Sequence, residues 1–238
     1  MTVSDTSHEE WVAIGERIRT AREKARLSVR ELARRVDVSP SHVSQVERGL
    51  ASFSVRALYS VVSELGVTMD SLFGPTADAP VAATDIQHDH LESVPPGALD
   101  DAGIVLRAHR RPSLPLAGGT RWERLTPGPE TGAEFIEVVY PPAAPDHESR
   151  PVDYIRHSSR EYGIVTKGVL TVQVGFDQTE LRAGDSIAFD SVTPHRFWNE
   201  TSEEVRAIWF IWDTPRSKAD VDAAEVSRSA LSAHSADA

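Results

Sequence analysis

The hydrophobic pattern of this 238-residue chain changes its period part-way along, and that change limits the possible fold more than any other feature. Up to residue 73, apolar residues recur at helical spacing. After about residue 100, apolar and polar residues alternate, as they do over residues 169–175, which is typical of half-buried strands. The first stripe consists of Trp11, Ile14, Ile18, Ala21 and Ala25. The sequence therefore predicts an α+β multidomain chain, with an all-α domain followed by an all-β domain.

Composition divides the chain at the same place. Residues 74–100 are rich in proline, alanine and aspartate and carry no regular period, which predicts a linker. We expect a helical domain over residues 1–73 and a β domain over residues 101–215. The small, polar residues 216–238 predict a disordered tail.

Capping residues predict five short helices in the first domain. Ser28 and Glu31 have the spacing of a capping box, so a helix is expected to begin at Ser28. Ser39 caps the next helix, with Pro40 at its first position, and Gly49 suits the left-handed residue that ends it. A fourth helix is predicted over residues 54–65 and a short fifth turn over residues 68–73.

The distribution of charge favours one partner for the helical domain. The net charge is −11, from 25 basic and 36 acidic residues, and it argues against a nucleic-acid ligand for the chain as a whole. Residues 17–35, however, carry eight Lys or Arg against two Glu. A basic module on an acidic body is what a small DNA-binding domain joined to a sensor would show.

Other features of composition set the class of protein. The chain has no cysteine, which excludes disulfides and thiolate metal sites. It has no apolar run of the roughly 20 residues that a membrane helix needs, and its first ten residues lack the pattern of a signal peptide. We expect a cytoplasmic protein without a membrane partner.

The third predicted helix has a polar outer side. Val43 and Val46 face inward at helical spacing, and the N-terminus near Ser39 and His42 is suited to a phosphate. Short or amide side chains on the outer side are suited to base edges in a major groove. The outward residues are Ser41, Gln45 and Arg48.

Residues 14–73, and especially the segment LSVRELARRVDVSPSHVSQVERG that begins at Leu27, resemble the lambda-repressor and Cro-like helix-turn-helix family, also called the Xre family. The resemblance implies a double-stranded DNA operator as partner. It also implies contacts of Ser41 and Gln45 with bases, and of Ser39 and His42 with phosphates. A further implication is an ion pair beneath the recognition helix, between Arg22 and Glu47.

Two segments of the β domain carry a candidate metal or ligand site. They read IRHSSREYGIVTKG over residues 155–168 and GDSIAFDSVTPHRFWN over residues 184–199. His157 and Glu161 are four residues apart, and His195 follows at a distance. Two imidazoles and one carboxylate form the facial triad of non-haem Fe(II), and they also suit Zn(II) or Mn(II).

The same segments resemble the two cupin motifs, and the resemblance covers about residues 103–213. It implies a double-stranded β-helix barrel with a ligand pocket. Ile155 stands where the first histidine of the usual His-x-His pair belongs, so the four-ligand centre is incomplete. Two alternatives stay open: a divalent metal on His157, Glu161 and His195, or an effector pocket that these side chains line without a metal.

Together these patterns predict a sequence-specific transcriptional regulator, not an enzyme. We expect a homodimer whose cupin barrels bind a small-molecule effector and whose recognition helices lie about 34 Å apart on DNA. The alternative is a mononuclear non-haem iron oxygenase or epoxidase of the helix-turn-helix plus cupin type, which would use the two histidines and the glutamate. A third alternative is a barrel that only dimerises.

Overall fold

The structure is a computed structural model that describes residues 3–73, 95–143 and 153–213. All regular elements of the first range are helices, which confirms the predicted five-helix domain, although its fifth helix is a 3₁₀ helix. The elements are α1 (Val3–Lys24), α2 (Val29–Arg35), α3 (Pro40–Glu47), α4 (Val55–Leu65) and the 3₁₀ helix Met69–Leu72. No helix in the three ranges is both long enough and apolar enough to cross a membrane.

Hydroxyl side chains set the starts of these helices. The side-chain oxygens of Ser28, Ser39 and Ser54 each accept the backbone N–H three residues further on, at 3.1 to 3.3 Å. Each bond satisfies one N–H that the first turn of a helix leaves without a partner. At Ser28 the serine half of the predicted capping box forms, while the Glu31 carboxylate accepts hydrogen bonds from arginines of the last turn of α2.

Gly49 allows the end of α3 to pack against α1. Its φ is +69°, a left-handed conformation that favours glycine, as the sequence predicts. A β-carbon at this position would lie 2.6 Å from the backbone nitrogen of Val12. Both the turn and the close contact therefore require glycine here.

The helical core follows the predicted stripe with one correction. Ile14 and Ile18 are buried, whereas Ala25 is exposed. The stripe ends early because α1 ends at Lys24 and Arg26, with φ of +58°, turns the chain away. The other buried core residues of this domain include Leu32, Ala33, Val36, Val43, Val46, Leu58 and Val61.

The second part of the chain forms two antiparallel sheets. One has the strand order β1-β2-β3-β9-β4-β7 and the other the order β6-β5-β8. The strands are β1 (Ser113–Pro115), β2 (Arg121–Arg124), β3 (Ala133–Tyr140), β4 (Ser159–Lys167), β5 (Val169–Val174), β6 (Asp177–Arg182), β7 (Ser186–Asp190), β8 (His195–Trp198) and β9 (Val205–Asp213). The predicted cupin-type barrel is confirmed.

Most predicted strands agree with the structure to within one residue. Alternation and turn residues predict strands over residues 133–140, 169–175, 186–190, 196–199 and 205–212, which correspond to β3, β5, β7, β8 and β9. The bounds of β3 and β7 are as predicted, those of β5 and β9 differ by one residue at one end, and those of β8 differ by one residue at both ends. Strand β4 was not predicted, because its polar and apolar residues lie on the opposite sides from those expected of a half-buried strand. Its inward side carries Glu161 and Gly163, whereas its outward side carries the apolar Tyr162 and Ile164.

The helical domain packs directly on the barrel. Leu114 and Leu116, in and after β1, belong to the same apolar cluster as the core of the helices. The amide of Ala117 donates to the carbonyl of Phe53 at 3.2 Å. An almost fully buried ion pair joins Arg124 of β2 to Asp70 of the 3₁₀ helix at 3.4 Å. These contacts place α4 beside the barrel interior.

The predicted linker and tail fall largely on parts of the chain outside the described residues. Residues 74–94 and the tail 216–238 lie there, so the predicted domain limits stay predictions. Within residues 95–100, the structure shows the start of α5 (Ala98–Asp101). Arg107 holds this short helix through two hydrogen bonds to Asp100, at 2.6 and 2.8 Å.

Candidate functional site

Helix α3 presents the predicted polar face to the outside. Ser41, Gln45 and Arg48 are exposed, whereas Val43 and Val46 are buried in the helical core. The three exposed residues repeat at a spacing of four and three, so they lie on one side of the helix. This side has the donors and acceptors that a base-reading helix needs.

The N-terminus of α3 is held in place by Ser39 and His42. The Ser39 side chain caps the helix by accepting the amide of His42 at 3.1 Å. The half-buried His42 ring packs edge-on against Phe53, with 5.3 Å between ring centroids. The Arg48 Nε donates to the carbonyl of Ser44 at 3.0 Å, which turns its guanidinium back along the helix.

An ion pair fixes α3 against α1. Arg22 donates to both carboxylate oxygens of Glu47, at 2.6 and 3.0 Å, and to the carbonyl of Leu27 at 2.8 Å. The side chains of Arg22 and Glu47 are only 10% and 8% exposed. The pair that the Xre resemblance implies is present, and it also fixes the loop that begins α2.

The basic residues of the helical domain divide into two groups. In the first group, Arg17 donates to the carbonyl of Leu72, and Arg34 and Arg35 pair with Glu31. A second group is exposed on α1, the following turn and α2. It consists of Lys24, Arg26 and Arg30. The sequence predicted a basic segment, but it did not predict which of its cations pair with other groups of the protein.

In the barrel, the structure brings His157, Glu161 and His195 together as predicted. Glu161 lies on β4, His195 begins β8, and His157 lies on the segment before β4. The Nε2 atoms of His157 and His195 are 2.8 and 3.1 Å from the same Glu161 oxygen, Oε1. The three side chains offer one ligand atom each, all within 4.8 Å of one another.

Backbone pairing explains why these residues converge. Ile155 and His195 exchange two backbone hydrogen bonds, at 2.8 and 3.1 Å, and the amide of His157 donates to the carbonyl of Ser191 at 3.1 Å. The segment before β4 is thereby fastened to the start of β8. Ile155, which stands in the place of the missing cupin histidine, contributes its backbone to this pairing.

The electrostatics of the triad keep Glu161 ionised. Burial would raise its pKa, but the His157 and His195 imidazoles next to its carboxylate hold the pKa of Glu161 at about 2. Ser191, fully buried, donates a further hydrogen bond to Oε1 at 2.9 Å. Sequence reasoning missed Ser191, because a serine in a strand-end turn carries no signal of its own.

The donor set fits a divalent cation. Among the described residues, both ring nitrogens of His157 are buried without an aligned hydrogen-bond partner, despite the short contact to Glu161. His195 is better served, since its Nδ1 lies 2.9 Å from the carbonyl of Thr193. Two imidazole nitrogens and one carboxylate oxygen around one point match the preferences of iron, zinc and manganese.

The triad opens into a cavity of about 550 Å³. Its walls combine aromatic and aliphatic side chains with a few polar groups, as small-molecule sites generally do. Aromatic residues of the barrel that line it are Trp122, Tyr140, Phe197, Trp198 and Trp209. The helical domain contributes to the lining as well, through Ser54, Val55, Arg56 and Tyr59. Sequence reasoning missed Arg56 and Tyr59 because they belong to the other domain.

Comparison with known proteins matches both parts of the chain. Residues 18–72 match the family described as "Helix-turn-helix" and residues 137–211 the family described as "Cupin domain". The HTH-type transcriptional regulator PuuR of Escherichia coli (strain K12) is 24% identical over 200 residues, which cover 84% of this chain and 95% of that protein.

Two solved structures are similar over most of the chain. An HTH_3 family transcriptional regulator from Vibrio cholerae is 22% identical, with a TM-score of 0.55, covering 88% of this chain and 99% of that one. Hydroxypropylphosphonic acid epoxidase from S. wedmorenis is 18% identical, with a TM-score of 0.37, covering 84% and 97%.

Proposed function

We propose that this chain is a transcriptional regulator that joins a helix-turn-helix domain to a cupin domain, and that a small molecule in the cupin cavity controls its binding to an operator. The observation that carries DNA binding is the exposed polar face of α3, which the Arg22–Glu47 pair holds rigidly. A preorganised helix of this kind loses little freedom on entering the major groove. This function requires a cytoplasmic protein, as the sequence predicts.

The predicted DNA contacts on α3 and at its two ends have distinct roles in this proposal. Gln45 is suited to adenine, because its amide donates and accepts at once, and Ser41 bonds a neighbouring base edge. Ser39 and His42 lie at the helix N-terminus, where backbone amides and the helix dipole favour a phosphate. Arg48, at the other end, pairs with the DNA backbone.

The experiment that tests DNA binding compares two glutamines. Gln45→Ala removes the proposed adenine contact, whereas Gln178→Ala changes an exposed glutamine of β6 in the other domain. With a fluorescent duplex containing the DNA upstream of the protein's own gene, we expect Gln45→Ala to weaken binding by about 1–3 kcal/mol. The measurement is fluorescence anisotropy at fixed salt.

The control sets the interpretation of that measurement. Gln178→Ala should bind the duplex like the wild type, because β6 belongs to the barrel and not to the helical domain. Equal affinities for all three proteins would contradict the proposed role of Gln45. A wild type that binds no duplex at moderate salt would contradict the regulator itself.

The cupin cavity is the effector site in this proposal. His157, Glu161 and His195 would hold a divalent iron, zinc or manganese ion, which would act as a Lewis acid toward a polar group of the effector. The aromatic walls would bury the apolar body of the effector. Effector binding then shifts the equilibrium between domain arrangements of different operator affinity.

A second copy of this chain completes the regulator, and the barrel carries a surface suited to it. Five large apolar side chains, each 39–50% exposed, form an outer apolar face across β3, β9 and β4. Phe210 is the cross-strand partner of both Phe135 and Tyr162, with ring centroids 6.4 and 6.3 Å away. The outer apolar face consists of Phe135, Tyr162, Ile164, Phe210 and Trp212.

Single exposed apolar residues are common on protein surfaces, but these five are contiguous, and contiguous apolar patches mark interfaces. A twofold dimer through it would give the symmetry that a near-palindromic operator needs. It would contribute the apolar centre of an interface of about 800 Å² per partner. We therefore place the barrel of the second copy here.

Sedimentation velocity tests the dimer. Phe210→Asp puts a charge in the centre of the outer apolar face, whereas Phe176→Asp changes a fully exposed phenylalanine in the β5–β6 turn. We expect the wild type and Phe176→Asp to sediment as dimers at micromolar concentration and Phe210→Asp as a monomer. A dimeric Phe210→Asp variant, or a monomeric wild type, would place the interface elsewhere or remove it.

An iron-dependent oxygenase or epoxidase is the second candidate, and the convergence of His157, Glu161 and His195 is the observation that favours it. The same residues would then hold Fe(II) for oxygen chemistry. Oxygen uptake by the Fe(II)-loaded protein, measured without and with candidate phosphonates, separates this function from that of a regulator.

A further inference from the structure

One wall of the barrel cavity comes from the DNA-binding domain. Helix α4 and the residue before it contribute four side chains to the lining, and two of them reach groups of the barrel. Arg56 lies 3.1 Å from the carboxylate of Asp153, and Tyr59 meets His157 of the triad. An occupant of the cavity therefore contacts both domains at once.

The contact of Tyr59 with His157 is a parallel stack. The two ring centroids are 4.4 Å apart and the planes differ by only 7°. Trp122 of β2 meets Tyr59 edge-on at 5.9 Å, which fixes the tyrosine ring from another side. Burial, with Glu134 and Glu161 nearby, raises the pKa of Tyr59 well above its usual value, so the hydroxyl stays neutral.

The stack is the face-to-face contact of the His157 ring among the described residues, since His195 meets this ring edge-on, with 5.4 Å between ring centroids. Both ring nitrogens of His157 are buried without an aligned hydrogen bond. A metal ligand needs a second group that fixes the plane of its ring. For His195 the Thr193 carbonyl does this through Nδ1, at 2.9 Å. For His157, the face of Tyr59 is the group that sets the ring plane.

The path from Tyr59 to the DNA-reading surface is short. Phe53, just before α4, packs against His42 at the N-terminus of α3, with 5.3 Å between ring centroids. The carbonyl of the same Phe53 accepts a hydrogen bond from Ala117 of the barrel. Residues 53–59 therefore contact the triad, the barrel and the recognition helix.

We propose that Tyr59 is a positioning residue of the cupin site, and that metal binding to the triad stabilises the seating of the helix-turn-helix domain on the barrel. The inference rests on the proposed function, since it assigns the link between the effector site and DNA binding to helix α4. Linkage requires the reciprocal effect, so a duplex bound to α3 changes metal affinity by the same factor that metal changes duplex affinity.

The test uses the full chain, stripped of metal by a chelator, and Zn²⁺ as the probe because it is redox-inert. Isothermal titration calorimetry compares the wild type with Tyr59→Ala, Tyr59→Phe and Val62→Ala. Val62 is a buried residue of α4 that lies outside the cavity lining. We expect Tyr59→Ala to bind Zn²⁺ about three- to tenfold more weakly, the value of one aromatic stack, and Tyr59→Phe to restore the affinity.

A second readout follows DNA binding by anisotropy with and without Zn²⁺. In the wild type Zn²⁺ should change duplex affinity, and in Tyr59→Ala that factor should approach one. Wild-type Zn²⁺ affinity in Tyr59→Ala would overturn the proposal, as would an equal loss in Val62→Ala, which would indicate general loosening of α4.

Failure of this inference is distinguishable from failure of the regulator. A wild type that binds the duplex but no Zn²⁺ overturns the role of Tyr59 and leaves the regulator standing. A wild type that binds Zn²⁺ but no duplex overturns the regulator, and the calorimetric difference between Tyr59→Ala and Tyr59→Phe still supports the positioning role.

Discussion

The helical domain and the barrel each bury a carboxylate, but they treat it differently. Glu47 faces one partner, Arg22, which meets both of its oxygens at 2.6 and 3.0 Å. In the barrel, a single oxygen of Glu161 contacts three side chains, those of His157, His195 and Ser191. The first arrangement is a closed pair without access to a cavity, and the second opens into a space of about 550 Å³.

This difference distinguishes a structural ion pair from a cluster that can bind a ligand. A buried charge whose partner satisfies it in a bidentate pair has nothing left to offer a ligand. A buried cluster that leaves the His157 nitrogens without an aligned partner retains the capacity to bind, and such incomplete satisfaction is concentrated at functional sites. Arg22 and Glu47 therefore fix the position of α3, whereas the triad is the candidate binding site.

The largest effect is expected from breaking the closed pair. Arg22→Ala leaves the Glu47 carboxylate buried without its cation, and removing one partner of a buried pair costs about 3–5 kcal/mol. The free energy of unfolding of the helical domain should fall by that amount, and duplex binding should be lost with it. Thermal unfolding followed by circular dichroism at 222 nm, together with anisotropy, measures both.

Arg19→Ala is the matched control, because Arg19 pairs with Glu23 on the exposed side of the same helix, where the side chains are 62% and 54% exposed. Exposed pairs of this kind contribute little to stability, so its melting temperature should equal that of the wild type. Equal melting temperatures for Arg22→Ala and the wild type would show that the closed pair is dispensable for stability, which would contradict its structural role.

Glu134 of β3 is a third kind of buried carboxylate, and it sharpens the comparison. Its Oε2 is buried without a hydrogen-bond partner in the described part of the chain. Burial, reinforced by the charges of Asp213, Glu161 and Asp70, raises the pKa of Glu134 to about 8. Because no cation or imidazole in the described part of the chain offsets this shift, the carboxyl keeps its proton at neutral pH.

A smaller, pH-dependent effect follows for Glu134→Gln in the metal-free protein. The folded pKa lies above the unfolded one, so the wild type loses stability as pH rises from about 4.5 to 8. Glutamine keeps the neutral shape, so the variant should be more stable than the wild type by about 1–3 kcal/mol near pH 8. The advantage should vanish near pH 4.5. Urea unfolding at several pH values measures it.

Glu180→Gln, on the exposed strand β6, provides the control for that series and should follow the wild-type curve throughout. A Glu134→Gln variant whose advantage is the same at every pH would mean that packing, and not a retained proton, distinguishes this position.

Local sequence was sufficient for much of the molecule. Caps at Ser28 and Ser39, the turn at Gly49 and the outward set on α3 depend on neighbours within four residues, so their spacing predicts them. Strand β4 was harder to predict, because its outward side is apolar where the second copy is proposed to bind. An alternation rule assumes that only the core is apolar.

The triad lies between these cases. The spacing of His157 and Glu161, with a distant histidine, predicted which residues meet, since strands β4 and β8 bring them together in any barrel of this type. Which groups complete the site was decided by tertiary structure alone. Ser191 follows β7, the strand that pairs with β4, and donates to Glu161 from there. Tyr59 reaches His157 from another domain. Such contacts depend on how two folded units pack, and no short-range pattern encodes the geometry of that packing.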